Sequence, residues 1–338
     1  MSESVRAQQF SGTFDSTAAV ELAVSDRSGF IENRHVGSAI VLSPEGERVL
    51  ALGDPDAAVL PRSTLKPFQA VGSLTAGAEL DAEQTALASA SHAGTPRHVD
   101  VVRRTLADAR LDDSALRCPS ALPADAESRS AVLRTGGDAA PIYMECSGKH
   151  AGMLAACVAQ GWSVDDYLDA RHPLQQHIRD VVERLTGEKV SHAAVDGCGA
   201  PVFAVTLAGL ARGVHRMATA SESSPFALYR TAASVLRSAR EHPWAISGPG
   251  RPDTVLMETI GGYAKAGADG VMTVCVANGT TVAVKMLGGS VPAARVAAVG
   301  ALAKAGAIDA ATAQEALERA DAVVYGGGAP VGRLRPTV

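Results

Sequence analysis

A serine and a lysine stand three residues apart in the segment VLPRSTLKPFQAVGSL, residues 59–74. An extended run ends here and an apolar helical pattern begins, so Ser63 and Lys66 are predicted to share one face of a first helical turn. A lysine that has lost its proton, through burial or a neighbouring cation such as Arg62, can activate a serine hydroxyl. The spacing is consistent with a serine nucleophile; the alternative is a helix-capping Ser63 beside a solvated Lys66.

Two further segments could complete such a site. Ser91 and His92 stand where a second helical pattern stops, and Ser91 could face the same cavity. In GGYAKAGADG, the run Lys265-Ala266-Gly267 weakly resembles the K-T-G strand motif of penicillin-recognising enzymes. A helix cap, a packed histidine and a surface lysine are the alternatives.

Two segments have a cysteine among glycines at a predicted turn: MECSGKHAGML and AAVDGCGAPVFA. The thiolates of Cys146 and Cys198 could share one Zn²⁺, with Lys149 or Asp196 completing the shell. The paired spacing of structural zinc sites is absent, and lysine must lose its proton to bind a metal. Two small buried cysteines, or a nucleophile pair of Cys146 with His150, are the alternatives.

The elements that must position these side chains change type along the chain. Short β-branched runs broken by turns come first, helical spacing begins at Leu65, and DGVMTVCVANGTTVAVKML returns to two strands joined at Asn278–Gly279. We therefore expect an α+β fold whose N- and C-terminal strands share one antiparallel sheet, with helices against it. The predicted divisions are a loose lead over residues 1–15 and a single catalytic domain over 16–338, helical at about 64–245.

Three segments receive a specific prediction. Residues 117–141, rich in Pro, Ser, Gly and Asp, are predicted to form a long loop. The segment FAVTLAGLARGV is predicted to be a helix. The segment ARVAAVGALAKAGAIDAATAQEALERAD is predicted to form one final helix before a glycine-rich tail.

Composition excludes several classes of protein. The 338 residues are 46% hydrophobic and 20% charged, with a formal net charge of -5 and scattered basic residues, so a nucleic-acid partner is not expected. The sequence contains no apolar run of roughly 20 residues and no secretory signal pattern, so we expect no membrane partner and a cytoplasmic location. Five unevenly placed cysteines do not suggest a disulfide framework.

Five segments, taken in order, resemble the L-asparaginase II family, the class 3 or rhizobial-type asparaginases: PRSTLKPFQA, ASHAGTPRH, CSGKHAGML, DGCGAPVFA and AKAGADGV. The resemblance runs from about Ile31 through the final strands. It implies an α/β sandwich like that of serine β-lactamases and penicillin-binding proteins. It also implies a homodimer that hydrolyses L-asparagine to L-aspartate and ammonia.

The resemblance also implies roles for particular residues. Two serine–lysine tandems fall on Ser63 with Lys66 and on Ser91 with Lys265, and one Zn²⁺ per chain falls on Cys146, Lys149 and Cys198. We expect substrate contacts from Arg62, His92, Asp196 and Gly197. The segment SHAGT departs from the family's SHSGE at Ala93 and Thr95, and Thr64–Leu65 replaces small residues, so substrate preference stays open.

The expected mechanism is acyl transfer. Ser63, deprotonated by Lys66, would attack the side-chain amide while Ser91 and Lys265 relay protons or orient the carboxamide; Ser91 as nucleophile is the reverse assignment. Zinc would anchor loops and hold the α-amino and carboxylate end of the substrate. The alternatives are an amidohydrolase for glutamine, a small peptide or a β-lactam, a non-catalytic zinc-stabilised amino-acid-binding protein, and a zinc hydrolase whose metal-bound water attacks.

Overall fold

The fold is built on one large antiparallel sheet and one small one, in a computed structural model that describes residues 12–320 and 322–338. The strands, in chain order, are β1 (Val20–Arg27), β2 (Phe30–Leu42), β3 (Arg48–Leu52), β4 (Ala58–Val59), β5 (His192–Val195), β6 (Pro201–Thr206), β7 (Tyr263–Gly267), β8 (Val271–Cys275), β9 (Thr281–Met286), β10 (Val323–Gly326) and β11 (Ala329–Pro336).

The large sheet joins the two ends of the chain. Its strand order is β10-β11-β1-β2-β9-β8-β7, with β3 paired to β2, and all pairs are antiparallel. The small sheet has the order β4-β6-β5. The prediction that the terminal strands share one antiparallel sheet is confirmed, and with it the α+β class. The predicted hairpin is also present, since β8 and β9 are joined by a short turn that contains Asn278 and Gly279.

Twelve α-helices account for most of the remaining described residues. They are α1 (Lys66–Thr75), α2 (Ala82–Ala88), α3 (Pro96–Asp108), α4 (Ala126–Arg134), α5 (Ser147–Gln160), α6 (Pro173–Thr186), α7 (Leu207–Thr219), α8 (Ala227–Glu241), α9 (Pro243–Ile246), α10 (Pro252–Ile260), α11 (Val291–Lys304) and α12 (Ala310–Arg319). Three short 3-10 helices span Arg62–Leu65, Asp113–Ala115 and Pro141–Tyr143.

Helices cover the sheet and surround a buried central helix. Every residue of β8 and β9 is buried, and both α7 and α11 pack against these strands, so neither face of this part of the sheet is open to solvent. Helix α1 is buried from Lys66 to Ser73 and packs against α5, α6 and α8. The first residue of this buried helix is therefore a lysine, which must find polar partners inside the protein.

The predicted loop over residues 117–141 is wrong in part. It contains α4, whose N-terminus is capped by Asp125, because the Asp125 carboxylate accepts a hydrogen bond from the Ser128 N–H. Ala121 and Ala140 form a β-bridge that closes the segment on itself. The Ser and Asp content that suggested a loop supplies a helix cap here.

Two predicted helices also differ from the structure. The segment FAVTLAGLARGV begins as strand β6 and becomes α7 only after Thr206, whose side chain caps the helix; a short apolar run does not distinguish strand from helix. The final predicted helix is two helices, α11 and α12, separated at Gly306, which has a φ of 69°. The glycine-rich tail forms β10 and β11.

The predicted lead over residues 1–15 lies mostly outside the described residues, which begin at residue 12. Phe14, within that lead, is buried and belongs to the main cluster of core side chains, which also includes residues from both sheets and from most helices. Among residues 12–320 and 322–338, every helix is too short or too polar to cross a membrane.

Candidate active site

Ser63 lies on a tight turn that leads into the buried helix α1. The 3-10 helix Arg62–Leu65 is followed at once by α1, and the Thr64 hydroxyl donates a hydrogen bond of 2.7 Å to the Pro61 carbonyl. Arg62 has a φ of 52°, in the left-handed region that non-glycine residues rarely adopt. Such a conformation persists only where the surroundings hold it in place, so the backbone of the turn that carries Ser63 is closely fixed.

Strand β7 reaches the Ser63 turn because Gly267 has no side chain. A Cβ on Gly267 would lie 2.6 Å from the Pro61 carbonyl oxygen and 3.3 Å from the Thr64 nitrogen. The end of β7 therefore lies directly against the turn that carries Ser63. The same strand carries Lys265, which is fully buried.

Both predicted lysines donate a hydrogen bond to Ser91. Lys66 Nζ donates a hydrogen bond of 2.7 Å to Ser91 Oγ, and Lys265 Nζ donates one of 2.9 Å to the same atom. Lys265 Nζ also donates to the Ala266 carbonyl at 2.8 Å. Among the described residues, the Ser63 hydroxyl makes no hydrogen bond with either lysine, so Lys66 contacts Ser91 and not its predicted partner Ser63. Ser63, Ser91 and Lys265 line one cavity, to which Lys66 does not contribute.

Lys265 sits in an environment that favours its neutral form. Burial lowers the pKa of Lys265 to about 8, and the charge of Lys66 acts in the same direction, while Asp253 and Glu145 oppose the shift. An amine with such a pKa can exchange a proton near neutral pH, as a general base must.

The predicted metal ligands are also neighbours. Cys146 and Cys198 are buried together, and Lys149 Nζ donates a hydrogen bond of 2.9 Å to Cys198 Sγ. A hydrogen bond from Cys146 lowers the pKa of Cys198 far below its ordinary value, and raises that of Cys146. Burial would lower the pKa of Lys149, but the two sulfurs raise it above the ordinary value. The cluster therefore holds a thiolate and an ammonium side by side.

Helix α5 brings this cluster close to the core through Gly148. A Cβ on Gly148 would lie 2.5 Å from the Leu87 carbonyl oxygen of α2, so only glycine permits this packing. His150, two residues further along α5, is buried with Nδ1 at 2.7 Å from the Tyr167 hydroxyl. Its Nε2 has no hydrogen-bond partner among the described residues.

Arg62 and Asp196, both predicted to contact substrate, contact one another. Arg62 Nε donates a hydrogen bond of 2.7 Å to Asp196 Oδ1, and the guanidinium also pairs with Asp269. The same Asp196 oxygen accepts a hydrogen bond of 2.9 Å from the Gly197 N–H. The charge of Arg62 is thus balanced by two carboxylates.

His92 is buried behind Ser91. Its Nε2 lies 2.8 Å from Ser147 Oγ, and burial, together with the neighbouring His98 and Lys66, lowers its pKa well below the ordinary value. A neutral imidazole packed between helices can orient the Ser91 segment. His92 does not line the cavity that contains Ser63 and Ser91.

A cavity of about 250 Å³ opens onto the two serines and Lys265. Its other charged lining residues, which the sequence reasoning missed, are Glu145, Arg251, Asp253 and Arg295. The cysteine and lysine cluster does not line this cavity. The only hint in the sequence was the SGPGRPD loop, which places Arg251 among glycines and prolines shortly before Lys265.

The departures from the family pattern lie outside this cavity. Ala93 is buried, and Thr95 precedes α3, where it forms a capping box with His98. Neither residue lines the cavity.

Serine and lysine side chains gathered in one cavity at a sheet–helix boundary are typical of the class of hydrolases that transfer an acyl group through a serine. A family model described as L-asparaginase II matches residues 23–336. The chain therefore belongs to the L-asparaginase II family, and in general terms it is an asparaginase-type amidohydrolase acting on a small molecule.

Other comparisons found only distant similarity. No curated protein sequence matches the chain significantly. The crystal structure of a putative beta-lactamase from Bacteroides dorei is 14% identical, with a TM-score of 0.40 over 74% of this chain and 84% of that one. The crystal structure of Mglu in its native form is 13% identical, with a TM-score of 0.43 over 80% of this chain and 64% of that one. These TM-scores are too low to add to the fold described above.

Proposed function

We propose that the protein hydrolyses L-asparagine to L-aspartate and ammonia through a serine nucleophile. The observation that supports this best is the pair of buried lysines, Lys66 and Lys265, that both donate to Ser91 Oγ beside Ser63. A binding site has no need for two amines at a buried hydroxyl, because burying a charge is costly. A proton relay next to a nucleophile does need them.

In the first step, Ser63 Oγ attacks the carboxamide carbon and its proton passes to one of the two lysines, which must accept it in the neutral form. The Ser91 hydroxyl, held between Lys66 and Lys265, carries that proton to the departing nitrogen, so ammonia leaves and an acyl group stays on Ser63. Backbone N–H groups at the start of the Ser63 turn stabilise the oxyanion. In the second step a water molecule, deprotonated by the same relay, releases L-aspartate.

A zinc ion fits the donor types of the cysteine cluster, in our proposal. Two sulfurs and a lysine nitrogen lie together in a buried place, and zinc accepts such donors. Among the described residues, His, Cys, Asp and Glu alone form no group of three suited to a metal, so Lys149 is needed as a ligand. Zinc bound there would link the start of α5 to the turn before β6. Cys146, Lys149 and Cys198 are buried and lie outside the cavity, which favours an anchoring role.

The homodimer implied by the family resemblance and the cytoplasmic location expected from the sequence are kept as part of the proposal. None of the five cysteines, all of which lie within the described residues, forms a disulfide, in keeping with a reducing compartment. Light scattering on the eluting protein should give about twice the chain mass of 34.6 kDa. A mass equal to that of one chain would contradict the dimer.

An ammonia-release assay on the purified protein tests the proposed activity. We expect turnover of L-asparagine to exceed that of L-glutamine, and Ser63→Ala and Lys66→Ala to lose at least about a thousandfold in kcat/KM. Ser223 is exposed and far from Ser63 in the sequence, so Ser223→Ala is the matched control and should keep full activity. Activity on neither amide would overturn the proposal and move the search to peptides and β-lactams. Normal activity of Ser63→Ala would instead favour attack by Ser91 or by a metal-bound water.

A further inference from the structure

The cavity beside the serines contains two charged side chains with no ionic partner. Arg251 and Glu145 are exposed residues of its lining, and within the described part of the chain neither takes part in an ion pair or a side-chain hydrogen bond. Every other charged group of the lining is already paired or hydrogen-bonded. The cavity thus offers one free positive and one free negative charge.

The other arginine and aspartate of the lining neutralise each other. Arg295 donates a hydrogen bond of 3.1 Å to Asp253 Oδ1, and both side chains are buried. Asp253 Oδ2 accepts a hydrogen bond of 2.8 Å from the Ala266 N–H, which ties the start of α10 to β7. This ion pair builds the wall of the cavity and leaves recognition to Arg251 and Glu145.

The segments that carry the two charges are hydrogen-bonded to the backbone of the Ser91 segment. The Ser91 N–H donates a hydrogen bond of 2.9 Å to the Ile246 carbonyl, at the start of the loop that carries Arg251. The next N–H, that of His92, donates one of 3.1 Å to the Glu145 carbonyl. The loop of Arg251 and the residue Glu145 therefore flank Ser91.

The side chain of Arg251 is also held by its own loop. Gly248 has a φ of 123°, and a Cβ at this position would lie 3.1 Å from Arg251 Cδ and 3.0 Å from the Ala93 Cβ. The Arg251 N–H donates to the Gly248 carbonyl at 3.2 Å. The stem of Arg251 thus lies across a position that only glycine leaves open.

We propose that Arg251 binds the α-carboxylate of the amino-acid substrate and that Glu145 binds its α-ammonium group. This inference rests on the proposed amidohydrolase function and adds the residues that recognise the substrate. An amino acid carries one carboxylate and one ammonium on the same carbon, which matches the two free charges around Ser91. A guanidinium binds a carboxylate through two parallel hydrogen bonds, and a carboxylate accepts from an ammonium.

Two analogues of asparagine separate the two contacts. β-Alaninamide lacks the α-carboxylate, and succinamic acid lacks the α-amino group, while both keep the reacting carboxamide. Arg251→Ala should raise KM for asparagine and succinamic acid by roughly 10- to 100-fold and leave β-alaninamide unaffected. Glu145→Gln should do the same for asparagine and β-alaninamide and leave succinamic acid unaffected. Arg251→Lys should recover part of the loss, since it restores the charge without the paired geometry.

Two exposed residues of α4 supply matched controls. Arg134→Ala and Glu127→Gln remove the same charges at residues that do not line the cavity and should leave every KM unchanged. Equal losses on asparagine and β-alaninamide in Arg251→Ala would mean general damage and would overturn its role. If both cavity variants are active with unchanged KM values, the inference is also overturned. The α-amino and α-carboxylate groups of the substrate would then be assigned to the cysteine cluster.

Calorimetric titration with L-aspartate separates this inference from the activity itself. Aspartate keeps both α groups, so wild type should bind it and Arg251→Ala should bind it at least about tenfold more weakly. If asparagine is not hydrolysed but aspartate binds through Arg251, the proposed function fails and the recognition site stands. If aspartate binds equally well without Arg251, or does not bind to wild type, the recognition site fails.

Discussion

Ser91, whose hydroxyl receives both lysines, is best explained as a relay, and Ser63 as the nucleophile. Both serines line the cavity, but the Ser63 hydroxyl has no hydrogen bond to either lysine and lies on the turn that begins with the unusual backbone of Arg62. Ser91 Oγ, with Lys66 and Lys265 at 2.7 and 2.9 Å, is placed to move protons between them. Two charged amines around one hydroxyl repel each other, and the charge of Lys66 helps burial to lower the pKa of Lys265.

The pKa of Lys265 gives a pH dependence for the reaction. Because burial lowers that pKa to about 8, the neutral, proton-accepting form increases as pH rises toward this value. We expect kcat/KM to rise about tenfold per unit below about pH 7.5 and to level off above about pH 8.5. The groups that face Lys265 and modulate this are Lys66 from α1, Asp253 from α10, and Glu145 with Cys146 before α5.

Replacing this lysine by a permanent cation provides the control for the pH profile. Lys265→Arg keeps the positive charge but cannot lose its proton near neutral pH. We expect Lys265→Arg to have low activity, and its kcat/KM should not rise with pH near about pH 8. A wild-type profile that is flat between about pH 6 and pH 9, or a limb that persists in Lys265→Arg, would exclude Lys265 as a base.

At the scale of elements, the site depends on how closely β7 approaches the Ser63 turn. Gly267→Ala would place a Cβ 2.6 Å from the Pro61 carbonyl oxygen, so the strand or the turn must move. Overpacking of this kind costs about 1–3 kcal/mol, and small displacements of reacting groups cost far more in rate. We expect a loss of kcat of at least about a hundredfold with a moderate fall in Tm, measured by assay and calorimetry.

Gly288→Ala is the matched control, because a Cβ at this position would have no neighbour within 4 Å and the φ of Gly288 is not in the left-handed region. It should keep both activity and Tm. If Gly267→Ala were equally silent, the close contact between β7 and the Ser63 turn would not matter for catalysis.

The sequence predicted elements well where patterns were long or turns specific. The Asn278–Gly279 hairpin and the buried pattern of α1 are examples, since each rests on local chemistry. Predicted element boundaries were wrong where a short run fits more than one element. The apolar run of β6 was predicted to be part of a helix, and Gly306 separates α11 from α12, which were predicted to be one helix. In the tail, β11 pairs with β1 and β10 pairs with β11, so these strands depend on a contact with a segment about 300 residues away in the sequence.

The serines and lysines of the candidate site could be named from the sequence, but their arrangement and the other charged residues of the cavity could not. Segments far apart in the sequence supplied Ser63, Lys66, Ser91 and Lys265, and their resemblance to one family grouped them. That both lysines converge on Ser91 depends on the register of the sheet and on Gly267, which no local pattern contains. Arg251 was not recognised because its place beside Ser91 depends on a long-range hydrogen bond between Ser91 and the start of its loop.

At the scale of the whole molecule, the proposed zinc site would join the helical region to the small sheet. We expect purified protein to hold about one zinc per chain by elemental mass spectrometry, and a chelator to lower its Tm by several degrees, because a ligand that binds only the folded state stabilises it. Cys198→Ala should lack zinc and should no longer respond to the chelator. The physical reason is the loss of one of the two sulfurs in the buried cluster.

Cys157→Ala is the control for that measurement, since Cys157 is a buried cysteine outside the cluster. It should retain the metal and the response to the chelator. Zinc-free wild-type protein, purified without chelators and unable to take up added zinc, would contradict the proposed site.

The measurement that tests the central claim most directly is the location of the acyl group. The reaction with L-asparagine is quenched in acid during turnover, and the digested protein is sequenced by tandem mass spectrometry. Trypsin leaves Ser63 and Ser91 on one peptide, because Lys66 precedes a proline and the next lysine or arginine is Arg97, so fragmentation must locate the label. The account predicts an aspartyl group on Ser63 in wild type and in Ser91→Ala, and none in Ser63→Ala. A label on Ser91, or active turnover without any acyl-enzyme, would contradict it.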